Sequence, residues 1–275
     1  MMRILLLMVF FLFLSMVNAL ALELHLDTAH WAQQKSAHFV VLYPLQEQSQ
    51  TAEEILRKAE EDYGRILDRL GANKVGNFWT WDERVQIVYF QDQDSFVKAT
   101  GQSAWSKGAS LSHMSNFQLR LIISYRGQDD FLDAVLPHEI SHLVLHDFMK
   151  DRTIPRWFDE GVAQLDEINN NEEHRVILAK LVESNKGMPL TMLEAFPGMV
   201  DQDPMKAAIF YAESLYIVDF LIKTYGKDSF AQLCRQMRDG QSFEVALSKV
   251  YYPTIVSWKS LEEKWDQYML TFVHN

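Results

Sequence analysis

The chain has 275 residues and is acidic, with 37 aspartates and glutamates against 26 lysines and arginines and a formal charge of −11. Neutralising nucleic-acid phosphates needs clustered basic side chains, and no such cluster stands out, so a nucleic-acid partner is not expected. Cys234 is the single cysteine, which leaves no intramolecular disulfide and puts stability on packing.

At the amino terminus Met1, Met2 and Arg3 precede an apolar run over residues 4–17, and Ala19-Leu20-Ala21 follows. A charged start, an apolar stretch and small residues at a cleavage point describe a secretory signal peptide, with cleavage after Ala21. An uncleaved membrane anchor is the alternative, because the run lies at the lower edge of spanning length. The expectation is therefore an exported bacterial protein, periplasmic or extracellular, touching a membrane only if the leader stays attached. Residues 22–275 hold enough chain for a large core, as one domain or two closely packed lobes.

Residues 38–44, HFVVLYP, are β-branched and aromatic and end at a proline, which predicts a strand. Residues 51–70 carry Ala52, Ile55, Leu56, Ala59, Tyr63, Ile66 and Leu70 at helical spacing and close on Gly71. The charges between them, in EEILRKAEEDYGR, read as the solvated face of that helix. Residues 84–90 and 119–125 predict two more strands, and the loop-rich stretch between them has room for a short one. A small mixed sheet with one long helix is thus expected for the first half.

From residue 129 onward the pattern is helical, and LPHEISHLVLH sits at the change. In a helix His138 and His142 are about 400° and about 6 Å apart, so both imidazoles leave one face. Glu139 points about 100° away from His138, within reach of a water held by that pair without being a ligand itself. Pro137 belongs in a first turn or at a kink. The competing reading is an amphipathic helix with surface His and Glu.

A third ligand candidate favours the metal reading. Leu145 and Phe148 stand where a metzincin needs glycine and histidine. His146 lies one turn further on the same helix, and three ligands in a row cannot surround one tetrahedral ion, so it reads as a surface or supporting histidine. Glu160 is the candidate, carried by a second helix in TIPRWFDEGVAQL. There Pro155 suits a first turn, Trp157 supplies a packing anchor, and Gly161 and Ala163 are small enough for close helix contact. Two imidazoles and one carboxylate would together hold one metal ion per chain.

With HEISH and WFDEG the sequence resembles the gluzincin metallopeptidases. Their pattern implies His138, His142 and Glu160 as zinc ligands and Glu139 as general base to a zinc-activated water. The interval from His142 to Glu160 is shorter by about one or two residues than in the best-known members. The order HFVVLYP, acidic helix, strand, LPHEISHLVLH, PRWFDEGVAQ, MPLTMLEAFP, FYAESLYIVDFLIKTYG and SLEEKWDQYM further resembles the peptidase-MA-like domains of exported bacterial proteins. That resemblance implies an α+β, zincin-like fold. It divides the chain into a leader (1–21), an amino-terminal part with a small mixed sheet and the HEISH helix (22–150), and a mostly helical part carrying the glutamate ligand (151–275).

Related peptidases present an oxyanion-stabilising tyrosine after the glutamate ligand. Tyr211 is the candidate, with a core tyrosine as the alternative reading, and Tyr216 stands second. The strand at 119–125 would be the edge that pairs with an extended peptide. In the carboxy-terminal part Asp203 and Pro204 cap a helix that stops at Gly226. Ser260 with Glu263 predicts a capping box for a last helix, whose Trp265, Tyr268 and Met269 form a packing face.

The implied activity is hydrolysis of peptide or protein substrates. An endopeptidase is favoured, since no Gly-rich exopeptidase motif precedes His138. Two other classes stay open: a zinc-holding but catalytically silent protein acting in envelope binding or assembly, and an interaction module without metal.

Overall fold

The computed structural model describes residues 31–45, 49–72, 79, 83–101, 108–112, 120–128, 130–150, 152–167, 171–184, 187–196 and 203–272. The leader expected at 1–21 lies outside them. The fold is α+β, with a small mixed sheet in the first half and helices in the second. By contacts the chain divides into two units, residues 1–64 with 77–143, and residues 65–76 with 144–275.

In the first unit β1 (Trp31–Lys35), β2 (Phe39–Pro44), β3 (Val85–Phe90), β4 (Gly108–Ser112) and β5 (Arg120–Tyr125) form one sheet in the order β1-β2-β3-β5-β4. The three inner strands β2, β3 and β5 are parallel, while β1 and β4 pair antiparallel at the two sides. Parallel strands need cover on both faces, which is why β3 and β5 read as nearly unbroken apolar runs. On one face Val88, Phe90, Leu121, Ile123 and Tyr125 pack with Phe96 of α2 (Gln93–Thr100). On the other, Phe39 meets Tyr63 and Trp79 edge-on at 6.0 and 5.7 Å.

Tyr63 belongs to α1 (Ser49–Arg69), and all seven apolar residues that predicted this helix are buried. Glu60 fastens it to the start of β2, accepting from the His38 amide at 2.8 Å and meeting the His38 ring Nδ1 at 2.7 Å. The chain leaves the helix through Gly71 at φ +63°, the left-handed value that its stop signal anticipated.

The strand at 119–125 is not an edge. β5 lies between β3 and β4, with Ile122 and Ile123 fully enclosed, so its backbone groups are taken on both sides and cannot pair with a peptide. The short strand in the loop-rich stretch, β4, holds the outer place instead.

A π-helical turn, Phe131–Val135, leads into α3 (Leu136–Met149). Phe131 packs on Tyr89 at 5.2 Å, anchoring the turn to the sheet end. The Leu136 amide donates to the Phe131 carbonyl, a wider turn than α. Pro137 falls in the first turn of α3. Its ring has no N–H to give and crowds the carbonyl four residues back, and widening the preceding turn relieves that.

The second unit contains α4 (Arg156–Gln164), α5 (Asn171–Ser184), α6 (Leu190–Ala195), α7 (Pro204–Tyr225), α8 (Lys227–Arg238), α9 (Phe243–Tyr251) and α10 (Trp258–Met269). An aromatic cluster closes around the start of α4, with Trp157 5.3 Å from Phe243 and 6.3 Å from Trp258, and Phe158 5.7 Å from Phe230. Trp157 is thus the packing anchor that was expected. Asp203 caps α7 by accepting from the Lys206 amide, Pro204 follows it, and Gly226 ends the helix.

Two local expectations shift. Pro155 is the cap residue of α4 rather than part of its first turn. The capping box of α10 is Ser257 with Ser260: Ser257 Oγ accepts from the Ser260 amide at 3.2 Å and Ser260 Oγ accepts from the Ser257 amide at 2.9 Å. Ser260 is therefore the third helical residue, and Glu263 stands near Lys259 instead. Trp265 and Met269 are buried and Tyr268 packs on Phe220 at 4.9 Å, as a packing face should. No helix among the described residues is long and apolar enough to cross a membrane.

Candidate metal centre

His138, Glu139 and His142 are buried, so the reading of α3 as an amphipathic surface helix is wrong. The residues from Leu136 to Leu145 are all enclosed, the pattern of a helix covered on every side. Within it the two imidazoles meet as the four-residue spacing requires, with ring centroids 4.7 Å apart and the Nε2 atoms 3.0 Å apart. Two imidazole nitrogens bound to one tetrahedral zinc at about 2.0–2.1 Å would stand about 3.3 Å apart, so the pair needs little adjustment to share an ion.

Glu139 is fully enclosed, and neither of its carboxylate oxygens finds a hydrogen-bond partner among the described residues. An orphaned buried carboxylate is costly, and such groups in native proteins mark functional or ligand-holding positions. This observation and the donor chemistry of the helix, two imidazoles and an adjacent carboxylate, fit a metal with a water beside it.

In the second unit α4 presents Glu160, buried like the histidines. Its position is fixed by close packing on α7. A Cβ on Gly161 would stand 2.2 Å from the Ser214 carbonyl oxygen and 2.7 Å from Val218 Cγ2, so only glycine permits this approach. Gln164 Nε2 donates to the carbonyls of Glu160 and Tyr211, both at 3.1 Å, tying the two helices together. Arg156, one turn before Glu160, brings Nη2 to 3.5 Å from its Oε1 and lays its guanidinium 5.5 Å from the centre of the Phe210 ring. On the side facing α3, His146 Nε2 meets Asp159 Oδ2 at 2.8 Å. His146 is thus half-buried and partnered rather than a simple surface residue.

Tyr211, on α7, shares this surrounding. Its hydroxyl is buried and finds no hydrogen-bond partner among the described residues. Burial first, and then the charge of Glu160, hold its pKa well above the ordinary phenol value, with Arg156 opposing. It therefore remains an O–H donor at any physiological pH. Tyr216, five residues on, leaves α7 about 140° around from Tyr211, which separates the two candidates.

Histidine and carboxylate side chains that could hold a metal ion are present among the described residues: His138, His142 and Glu160, and also His142, His146 and Asp159. Sequence reasoning did not single out Arg156, Asp159 or Gln164, although all three lie within RWFDEGVAQ. It also missed Glu213, whose carboxylate accepts from the Met188 amide at 2.9 Å and borders a cavity of about 400 Å³ walled by Met188, Leu190 and Trp265. Its partner lies 25 residues away, and no local pattern announces it.

No curated protein matches the chain. Residues 88–271, most of the chain, match the Peptidase MA superfamily, and the stretch includes α3, α4 and α7 with every candidate residue named above. The chain therefore belongs to the Peptidase MA superfamily.

Proposed function

We propose that this protein is a zinc-dependent peptidase in which His138, His142 and Glu160 hold the ion and Glu139 is the general base. The observation that carries the reading is the Glu139 carboxylate, buried and without a hydrogen-bond partner among the described residues, next to two imidazoles whose Nε2 atoms lie 3.0 Å apart. Further support comes from the His146–Asp159 contact, which sets the residue before Glu160 against the helix that carries both histidines. Zinc in such a site would supply Lewis-acid polarisation of the scissile carbonyl and lower the pKa of a water towards about 7.

The chain's own groups would do the rest. A Glu139 carboxylate oxygen would take the proton of the attacking water and pass it to the leaving amine. The Tyr211 hydroxyl, held protonated by its surroundings, would donate to the carbonyl oxygen as negative charge develops there. Arg156, with Nη2 3.5 Å from Glu160 Oε1, would offset the charge of this buried carboxylate.

A labelled, denatured protein serves as substrate for the test. The parent should cleave it, lose activity to a chelator and regain it with zinc. Glu139→Gln should keep its zinc and lose about 10²- to 10⁴-fold in rate. Equal cleavage by Glu139→Gln would remove the base from the proposal. A zinc-loaded parent that cleaves nothing would favour the silent binding protein.

A further inference from the structure

His146 and Asp159 have no role in the proposed ligand set or proton path, yet their side chains bond each other and so tie α3 to the helix that carries Glu160. We infer that the two form a positioning clamp, fixing the rotation of α4 so that Glu160 presents its carboxylate in one direction. The inference rests on the zinc reading above.

His146 follows His142 by one turn, and Asp159 immediately precedes Glu160. Neighbours on a helix point about 100° apart, so anchoring one fixes the heading of the other. The opposite side of α4 is already fixed on α7, by the close approach at Gly161 and by Gln164. Trp157 and Phe158 hold the start of α4 in the aromatic cluster with Phe243, Trp258 and Phe230. The bond from His146 Nε2 to Asp159 Oδ2, at 2.8 Å and only partly exposed, adds a directional tie at the residue that precedes Glu160. The two helices are joined by a short link in which Lys150 turns at φ +51°, with its amide on the His146 carbonyl. Together, link and clamp close a small ring around the turn. Groups that orient ligands in this way typically contribute 10- to 100-fold in metal affinity.

Zinc affinity of the full chain would be measured by chelator competition, and the cobalt(II) spectrum recorded beside it. Circular dichroism of the metal-free proteins would check folding. His146→Ala and Asp159→Ala should each weaken binding by about 10- to 100-fold and alter the cobalt spectrum. The double variant should be no weaker than either single one, because the two residues act as a unit. His146→Gln, which keeps an N–H donor, and Asp159→Asn, which keeps an acceptor oxygen, should restore most of the affinity. Unchanged affinity in His146→Ala, while Glu160→Ala loses zinc, would overturn the clamp and leave the metal site standing. Failure of His146→Gln to improve on His146→Ala would overturn it too, by making His146 a ligand. A parent that binds no zinc would remove both the site and the clamp.

Discussion

Glu213 shows what one buried carboxyl does to a molecule of this kind. It is 1 % exposed, and burial, reinforced by the nearby Asp266, pushes its pKa up to about 8, against the pull of the Met188 amide. In the unfolded chain it would release its proton near 4.5. As pH rises between those values the unfolded state loses the proton first, so this residue lowers stability by up to about 1.4 kcal/mol per pH unit and adds no slope outside the window. Glu213→Gln should therefore raise stability more at pH 8 than at pH 5. Urea unfolding at the two pH values checks this, and an equal shift at both would contradict it. Glu139 was legible because a motif of five residues carries its own geometry. Glu213 was not, nor was Asp166, which is buried between Arg65 and Arg69 about a hundred residues earlier in the chain. Long-range pairing leaves no periodic trace in a sequence.

At the scale of elements, what was legible followed hydrophobic period. The run of seven apolar residues gave α1, and the β-branched runs gave β2, β3 and β5. Strand order has no such signature, and the short β4 therefore took the outer place that had been expected of β5. Caps were ambiguous for a similar reason. Two serines three residues apart bond each other at the start of α10, and the pattern Ser-x-x-Glu one turn later offered a competing start that the fold does not use. Gly161 was read correctly as a close-packing position, and its contact makes a prediction of definite sign. In an exposed helix Gly→Ala would stabilise by about 1 kcal/mol. Here the added carbon would meet the Ser214 carbonyl at 2.2 Å, a backbone atom that cannot turn aside. Gly161→Ala should destabilise by about 3 kcal/mol in chemical unfolding. A neutral or stabilising result would show that α4 and α7 do not approach so closely.

At the scale of the whole molecule, the fold is α+β, and the superfamily match over residues 88–271 spans the histidine helix, the glutamate helix and the tyrosine helix. The central claim is that His138, His142 and Glu160, contributed by two helices, serve one ion. Elemental analysis of zinc per chain, in the parent and in Glu160→Ala, tests it most directly. The account predicts one zinc in the parent and its loss in the variant. A folded parent without zinc even after zinc is supplied, or a Glu160→Ala variant that keeps its zinc, would contradict it.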